Sequence, residues 1–327
     1  MKLASLKQGG RDGTLIIVDR KLQRYTAVPD LTSFLQQALD NWAQLEPELR
    51  IRYQALNDGH IEGTPLDFDA LAAPLPRAYQ WLDGSAYLPH VERVRKARGA
   101  EVPDSFYHDP LMYQGSSDVM LGPRDPIIAA DEKWGIDLEA EIAVITDDVP
   151  QGVSAVEAAN HIKLVMLVND ISLRNLIPPE LAKGFGFIHG KPPTAFSPVA
   201  VTVDELGDAW RDCKLHLPLH SQLNGKTLGT PDAGSEMQFN FAQLIEHAAK
   251  SRPLSSGTII GSGTVSNADI QRGCSCLAER RVLEIIEAGE ASTPFLKQGD
   301  RVSIEMLDDQ SHSIFGAIDQ KVKILPR

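Results

Sequence analysis

Apolar residues along this chain recur mostly at the spacing of β-strands. In Asp137-Leu-Glu139-Ala-Glu141-Ile-Ala-Val-Ile145, three carboxylates alternate with apolar side chains. Side chains two apart share a strand face, so Asp137, Glu139 and Glu141 are expected together, with Leu138, Ala140 and Ile142 opposite. Comparable runs predict strands over residues 139–146, 163–169, 197–203, 213–219, 258–261, 279–287, 301–306 and 314–324. Helical spacing is rarer. Residues 154–161 and 241–250 each combine an apolar face with a start signal. At the N-terminus, residues 3–6 and 14–18 flank Gly9-Gly10-Arg11-Asp12-Gly13 and predict a hairpin. Leu31, Phe34, Leu35, Ala38, Leu39 and Trp42 then fall on one helical face, with Asp30 or Thr32 as cap. Pro74 and Pro76 enforce extended backbone and mark a linker. The boundary falls near residue 70, giving a small N-terminal domain (1–70) and a main body (71–327). Turns such as Asn224-Gly225, with no regular βα alternation, predict a mainly β fold with some helices, of the α+β class.

Composition narrows the function classes. A chain of 327 residues that is 43% hydrophobic can bury a sizeable core. Its net charge of -12 argues against nucleic-acid binding, and the short basic run from Arg93 to Arg98 is set among Glu92 and Glu101. Cys213, Cys274 and Cys276 have neither the number nor the spacing of a zinc site and fit a reducing cytoplasm. No apolar stretch suits an export signal or a membrane span, so a cytoplasmic protein with no membrane partner is expected.

Two of the alternating carboxylates could converge on a cation at metal–oxygen distances of about 2.0–2.6 Å, and all-oxygen ligation favours a hard ion. A solvated strand face is the competing reading. The apolar run from Lys163 ends in Asn169-Asp170, with Ser172, Arg174 and Lys191 close behind, and loops after core strands are where sites are built. The stretch from Gly186 to Lys191 is one residue short of a nucleotide phosphate loop, and Pro192 stands where its hydroxyl residue belongs. Lys191 reads instead as a fixed cation for an anionic oxygen, or as a surface lysine. Asp83 precedes His90 by seven residues, a weak signal by itself. Gly261-Ser-Gly-Thr264-Val-Ser266 would expose backbone N–H groups and a hydroxyl to an anion, or form a plain hairpin turn.

Five blocks in order carry a resemblance to the fumarylacetoacetate hydrolase family: Asp83 to His90, Pro110-Leu-Met-Tyr113-Gln-Gly115, Asp137-Leu-Glu139-Ala-Glu141, Asn169-Asp170 through Lys191 to Pro198, and Gly261-Ser-Gly-Thr264. The resemblance implies a mixed β-sandwich roll preceded by a small N-terminal domain. It implies Asp83, Glu139, Glu141 and Asp170 as ligands of a divalent cation, Mg²⁺ or Ca²⁺, with Mn²⁺ also suited. His90 would be the general base and Glu279 the group that orients it. Lys191 would polarise the substrate, with Tyr113, Arg174 and Thr264 binding it. The implied reaction is hydrolysis of a C–C bond in a β-diketo acid, foremost fumarylacetoacetate to fumarate and acetoacetate in aromatic amino-acid catabolism, in a homodimer. The alternatives are 2-keto-4-pentenoate hydratase, acylpyruvate hydrolase and oxaloacetate decarboxylase, and, in another class, a non-catalytic metal-binding relative. Two departures bear on substrate identity: Ile177 replaces a family glutamine, and only Arg95 or Arg98 can stand for a family arginine after His90.

Overall fold

The computed structural model describes residues 1–97 and 103–325; Arg98 and the Arg95 side chain lie outside the described residues. The expected hairpin forms from β1 (Lys2–Leu6) and β2 (Thr14–Val18), and β3 (Arg24–Ala27) and β4 (Thr64–Pro65) extend its ladder. Its connection turns through Gly9 and Gly10, with φ of 87° and 93°, a region open to glycine and strained for other residues. The helix expected from Leu31 starts later and is broken into α1 (Leu35–Asp40) and α2 (Trp42–Asn57) at Asn41. Neither Asp30 nor Thr32 caps it: the residue before α1 is Phe34, and the Thr32 hydroxyl donates to Gln37 Oε1 at 3.1 Å. Pro47 and the charged residues around it obscured α2, whose buried face is Leu49, Tyr53 and Leu56.

The main body begins with β5 (Trp81–Gly84), α3 (Leu88–Ala97) and β6 (Met112–Gly115). It continues through β7 (Ile127–Ala129), β8 (Ile136–Asp137), β9 (Ala140–Thr146), α4 (Ala155–Ala158), β10 (Ile162–Asn169), β11 (Ser172–Leu173), α5 (Ile177–Leu181), β12 (Ala195–Phe196) and β13 (Ala200–Thr202). Then come β14 (Trp210–Arg211), β15 (Lys214–Leu215), β16 (Leu219–Leu223), β17 (Lys226–Gly229), α6 (Phe241–Ala248), β18 (Ile259–Gly261), α7 (Leu277–Ala288), β19 (Arg301–Met306) and β20 (Ile318–Ile324). The large sheet runs β4-β3-β2-β1-β13-β10-β9-β18-β5-β6, with β12 also on β10, so the N-terminal strands continue the central sheet. A second sheet runs β17-β16-β19-β20-β7. β9 and β10 are mostly apolar because both of their faces are buried, and Glu141 is the one acid within them. Ile142, Val144, Val165 and Leu167 share a core with Leu219, Ile304 and Met306 of the second sheet. Ala143, Ile145, Leu164 and Met166 pack with Leu35, Leu39 and Tyr53 of α1 and α2. The result is an α+β fold in which a two-sheet core carries helices on its outer face.

Two expected strands are corrected. Residues 213–219 are not one strand: Asp212 and Cys213, at φ of 54° and 53°, turn the chain between β14 and β15. Residues 279–287 are helical, inside α7. Val282, Leu283, Ile285 and Ile286 suggested a strand, but the Cys276 side chain accepts from Glu279 N and Gly289, at φ 86°, ends the helix. Among the described residues, no helix is long and apolar enough to cross a membrane.

Candidate metal centre and active site

The acids of the alternating stretch do not share one face. β8 ends at Asp137 and β9 begins at Ala140, and between them Glu139 forms a bridge with Cys276. This break in the strand takes Asp137 away to α7, while Glu139 and Glu141 both stay beside Asp170, Glu139 by sharing the Lys191 ammonium with it. Asp137 accepts from Leu277 N at 2.8 Å and Ala278 N at 2.9 Å, at the start of α7. Glu139 accepts from Arg174 Nη2 at 2.7 Å, Lys191 Nζ at 2.5 Å and Ser172 Oγ at 3.1 Å. Glu141 turns toward Asp83 and Asp170, and the three offer oxygens within 4.8 Å of one another.

The fold brings Asp83 there through β5, which lies parallel to β18 with Asp83 opposite Gly261. A Cβ on Gly261 would stand 2.3 Å from Asp83 Oδ1 and 2.4 Å from the Trp81 ring, so this position admits no side chain. Gly263 N donates to Asp83 Oδ1 at 3.0 Å. Asp170 follows directly on β10. It accepts from Tyr113 Oη at 2.7 Å, Thr194 Oγ1 at 2.8 Å and Lys191 Nζ at 2.5 Å.

Both oxygens of Glu141 are buried and have no hydrogen-bond partner among the described residues. Burial, and then the facing Asp83 and Asp170, push its carboxyl well above the usual range; burial and Asp170 do the same to Asp83. For Glu139, burial acts in the same direction, but Arg174 and Lys191 outweigh it and hold this acid well below its ordinary value. Lys191 keeps its proton against burial because Asp170 and Glu139 flank it. An unpartnered carboxylate beside two others fits a hard divalent cation: oxygens at about 2.0–2.6 Å from one ion lie at most about 5.2 Å apart, so this trio can share one. Of the four expected ligands, Asp83, Glu141 and Asp170 are brought together, whereas Glu139 is engaged by Arg174 and Lys191.

His90, on the first turn of α3, has its Nδ1 2.7 Å from Glu279 Oε2 on the first turn of α7. Glu279 Oε1 accepts from Ser266 Oγ at 2.8 Å and from Arg93, which also donates to Asn267 O at 2.7 Å. Burial raises the Glu279 carboxyl, but the hydrogen bonds from His90 and Ser266 and the Arg93 charge leave it below its ordinary value. Glu279 is fully buried and the His90 side chain is 18% exposed, so the imidazole is oriented from behind and open in front. Arg93 was not singled out from the sequence; its signal was its place one helical turn after His90. Thr264 is buried with no described partner for its hydroxyl, on the loop that also carries Gly263 to Asp83 and Ser266 to Glu279. The Tyr113 ring lies 5.2 Å from Lys191 Nζ and packs edge-on against Phe187. Arg174 is committed to Asp137 and Glu139, through Nε at 2.8 Å and Nη2 at 2.7 Å.

Comparison with known proteins places the chain in a family. Residues 80–323 match the family described as fumarylacetoacetate (FAA) hydrolase C-terminal, and residues 1–77 match fumarylacetoacetase N-terminal domain 2. A 2,4-didehydro-3-deoxy-L-rhamnonate hydrolase of Sphingomonas sp. is 30% identical over 48% of this chain and 53% of its own, so the chain spans about half the length of that relative. An oxaloacetate tautomerase of Bacillus subtilis is 26% identical over 72% of this chain and 68% of its own. The fold is shared with a maleylpyruvate hydrolase from Sphingobium sp., solved with manganese(II) and pyruvate, at a TM-score of 0.65, 16% identity and full coverage of both chains. With three quarters of its length matched by the C-terminal family, and the remainder up to residue 77 by the N-terminal one, the chain belongs to the fumarylacetoacetate hydrolase family.

Proposed function

We propose that this protein is a divalent-cation-dependent hydrolase that cleaves a C–C bond in a β-diketo acid, with fumarylacetoacetate as the leading substrate. The observation that carries the proposal is the pairing of His90 with buried Glu279, in a fold that also holds an acid trio whose Glu141 has no hydrogen-bond partner among the described residues. Asp83, Glu141 and Asp170 would hold the cation, which when bound supplies Lewis acidity toward the two oxygens of a 1,3-diketo or 2-keto acid. The manganese and pyruvate in the Sphingobium neighbour support that pairing of ion and keto acid.

Glu279 accepts the Nδ1–H of His90, which leaves Nε2 as the lone pair that faces substrate. Nε2 takes a proton from water as the water oxygen adds to the distal carbonyl, help worth about 10²–10⁴ in rate. The C–C bond then breaks, its electron pair moves into the leaving fragment as an enolate, and His90 returns the proton to that carbon. Lys191 stabilises the enolate charge as it develops, and the Thr264 hydroxyl, without a partner among the described residues, serves the remote carboxylate. The test is loss of fumarylacetoacetate absorbance with Mg²⁺ or Mn²⁺, with chelator, and in a His90→Ala variant. Metal-dependent turnover that collapses in the variant supports the proposal, and absence of turnover overturns the choice of substrate. A second reading, keto–enol exchange of oxaloacetate, is favoured by the relatives that carry that name. It needs no water addition, and oxaloacetate turnover without diketo-acid cleavage would establish it.

A further inference from the structure

The first acid of the alternating stretch, Asp137, has no part in the chemistry above, yet it is fully buried and fully engaged. Its Oδ1 accepts from Leu277 N at 2.8 Å, and its Oδ2 accepts from Ala278 N at 2.9 Å and Arg174 Nε at 2.8 Å. The two backbone donors are first-turn N–H groups of α7, which have no partner within the helix. The same Arg174 donates through Nη2 to Glu139 at 2.7 Å. Backbone contacts run alongside: Asp137 pairs with Ser172 of β11, Glu139 bridges Cys276, and Ala140 N donates to Ser275 O at 2.9 Å. Glu279 lies one residue beyond Ala278, in the same helical turn.

We infer that Asp137 is a positioning residue that, with Arg174, ties the acid-lined β8–β9 segment to the first turn of α7 and so sets where Glu279 meets His90. A carboxylate is required for this role. Its two oxygens meet three N–H donors and no acceptor, and an amide in its place would aim N–H groups at N–H groups. Arg174 is required as a fork, because Nε and Nη2 reach different acids at once and a lysine ammonium cannot reproduce that geometry. Asp137 also answers the Arg174 charge. Without it the guanidinium would rest on Glu139 alone, next to the trio.

The inference rests on the reading of His90 and Glu279 given above, and its test uses a readout that needs neither substrate nor cation. Carbethoxylation of His90 by diethyl pyrocarbonate is timed by peptide mass spectrometry in the wild-type, Glu279→Gln and Asp137→Asn proteins. Asp137→Asn is expected to change the His90 rate in the same direction as Glu279→Gln and by a comparable factor. A wild-type rate in Asp137→Asn, with Glu279→Gln altered, overturns the inference. If Asp137→Asn does not fold, Arg174→Lys is read in the same way. On a turned-over diketo acid, Asp137→Asn should lower kcat about 10–100-fold with little change in KM or in Mn²⁺ affinity, and should add nothing in a His90→Ala background. An additive loss in that background, or a loss carried by Mn²⁺ affinity, also counts against it. A wild-type protein inert toward every diketo acid would sink the proposed reaction, while the carbethoxylation rates would still decide the role of Asp137.

Discussion

Replacing Glu141 with glutamine should stabilise the cation-free protein while removing most of what a cation adds. Asp83, Glu141 and Asp170 offer oxygens within 4.8 Å of one another, and at an effective dielectric of about 20 each ionised pair at that separation repels by about 3.5 kcal/mol. Glu141 can take a proton instead, which for a carboxyl of ordinary value 4.5 costs about 3.4 kcal/mol at pH 7 and so bounds the burden. A buried glutamine amide without partners gives back about 1–2 kcal/mol, leaving a net gain of about 2 kcal/mol. For a chain of 327 residues with an unfolding entropy of about 2.1 cal/mol/K per residue, that is about 3 °C in Tm. Because the folded-state value of Glu141 is raised, its penalty is absent below its ordinary value of 4.5 and grows as the pH climbs toward the folded value. The advantage of the variant should therefore reach zero near about pH 5.6, where the penalty equals the cost of the amide, reverse below that, and widen by at most about 1.4 kcal/mol per unit above it. The assay is thermal unfolding in chelator from pH 5 to 8, repeated with Mn²⁺. Cation at 100 times its Kd should stabilise the wild type by about 2.7 kcal/mol, and the variant far less. A variant less stable than wild type at pH 7 in chelator, or a gap that does not change with pH, would refute the reasoning.

Lys191→Met leaves the buried Glu139 and Asp170 carboxylates without their shared ammonium; urea unfolding in chelator should show a loss of about 3–5 kcal/mol. Gly261→Ala drives a methyl into Asp83 and Trp81 and should cost about 1–3 kcal/mol together with weaker Mn²⁺ binding by calorimetry. Gly152→Ala, at φ 75° with open space around it, should cost only about 1–2 kcal/mol and leave Mn²⁺ binding unchanged. Arg93→Lys keeps the charge but loses the fork across Glu279, Ser266 and Asn267; steady-state kinetics should show kcat down about 10-fold or more at similar KM.

The apolar runs of β9 and β10 were legible because burial on both faces leaves a plain composition signal. Glu141 was legible as a candidate ligand from the alternating carboxylates, and Asp170 through the family resemblance, since an acid at a strand's end can equally be a surface turn residue. Which acid of the alternating stretch reaches Asp83 was not legible. It is decided by the break between Asp137 and Ala140, and by competition from the first turn of α7, from Arg174 and from Lys191, all of them distant in sequence. Glu279 was legible as a partner for His90 only through family resemblance. Local pattern put it in a strand, since Val282, Ile285 and Ile286 carry β-propensity that the tertiary packing of α7 overrides. Arg93, Ser266 and Thr194 are common polar residues whose roles exist only once the strands and helices are in place.

The parallel placement of β18 beside β5 also dictates an order of events during synthesis. β18 lies between β9 and β5, so Asp83 cannot stand near Glu141 until a strand made long after both has entered the gap. The β9–β10 ladder needs only its own short connection, whereas seating β18 closes a loop that reaches back to Trp81, and such distant pairings form slowly. Glu141 and Asp170 can therefore come together before Asp83 joins them, and in refolding experiments tight cation binding should lag behind formation of the β9–β10 ladder, the time between them reporting the entry of β18.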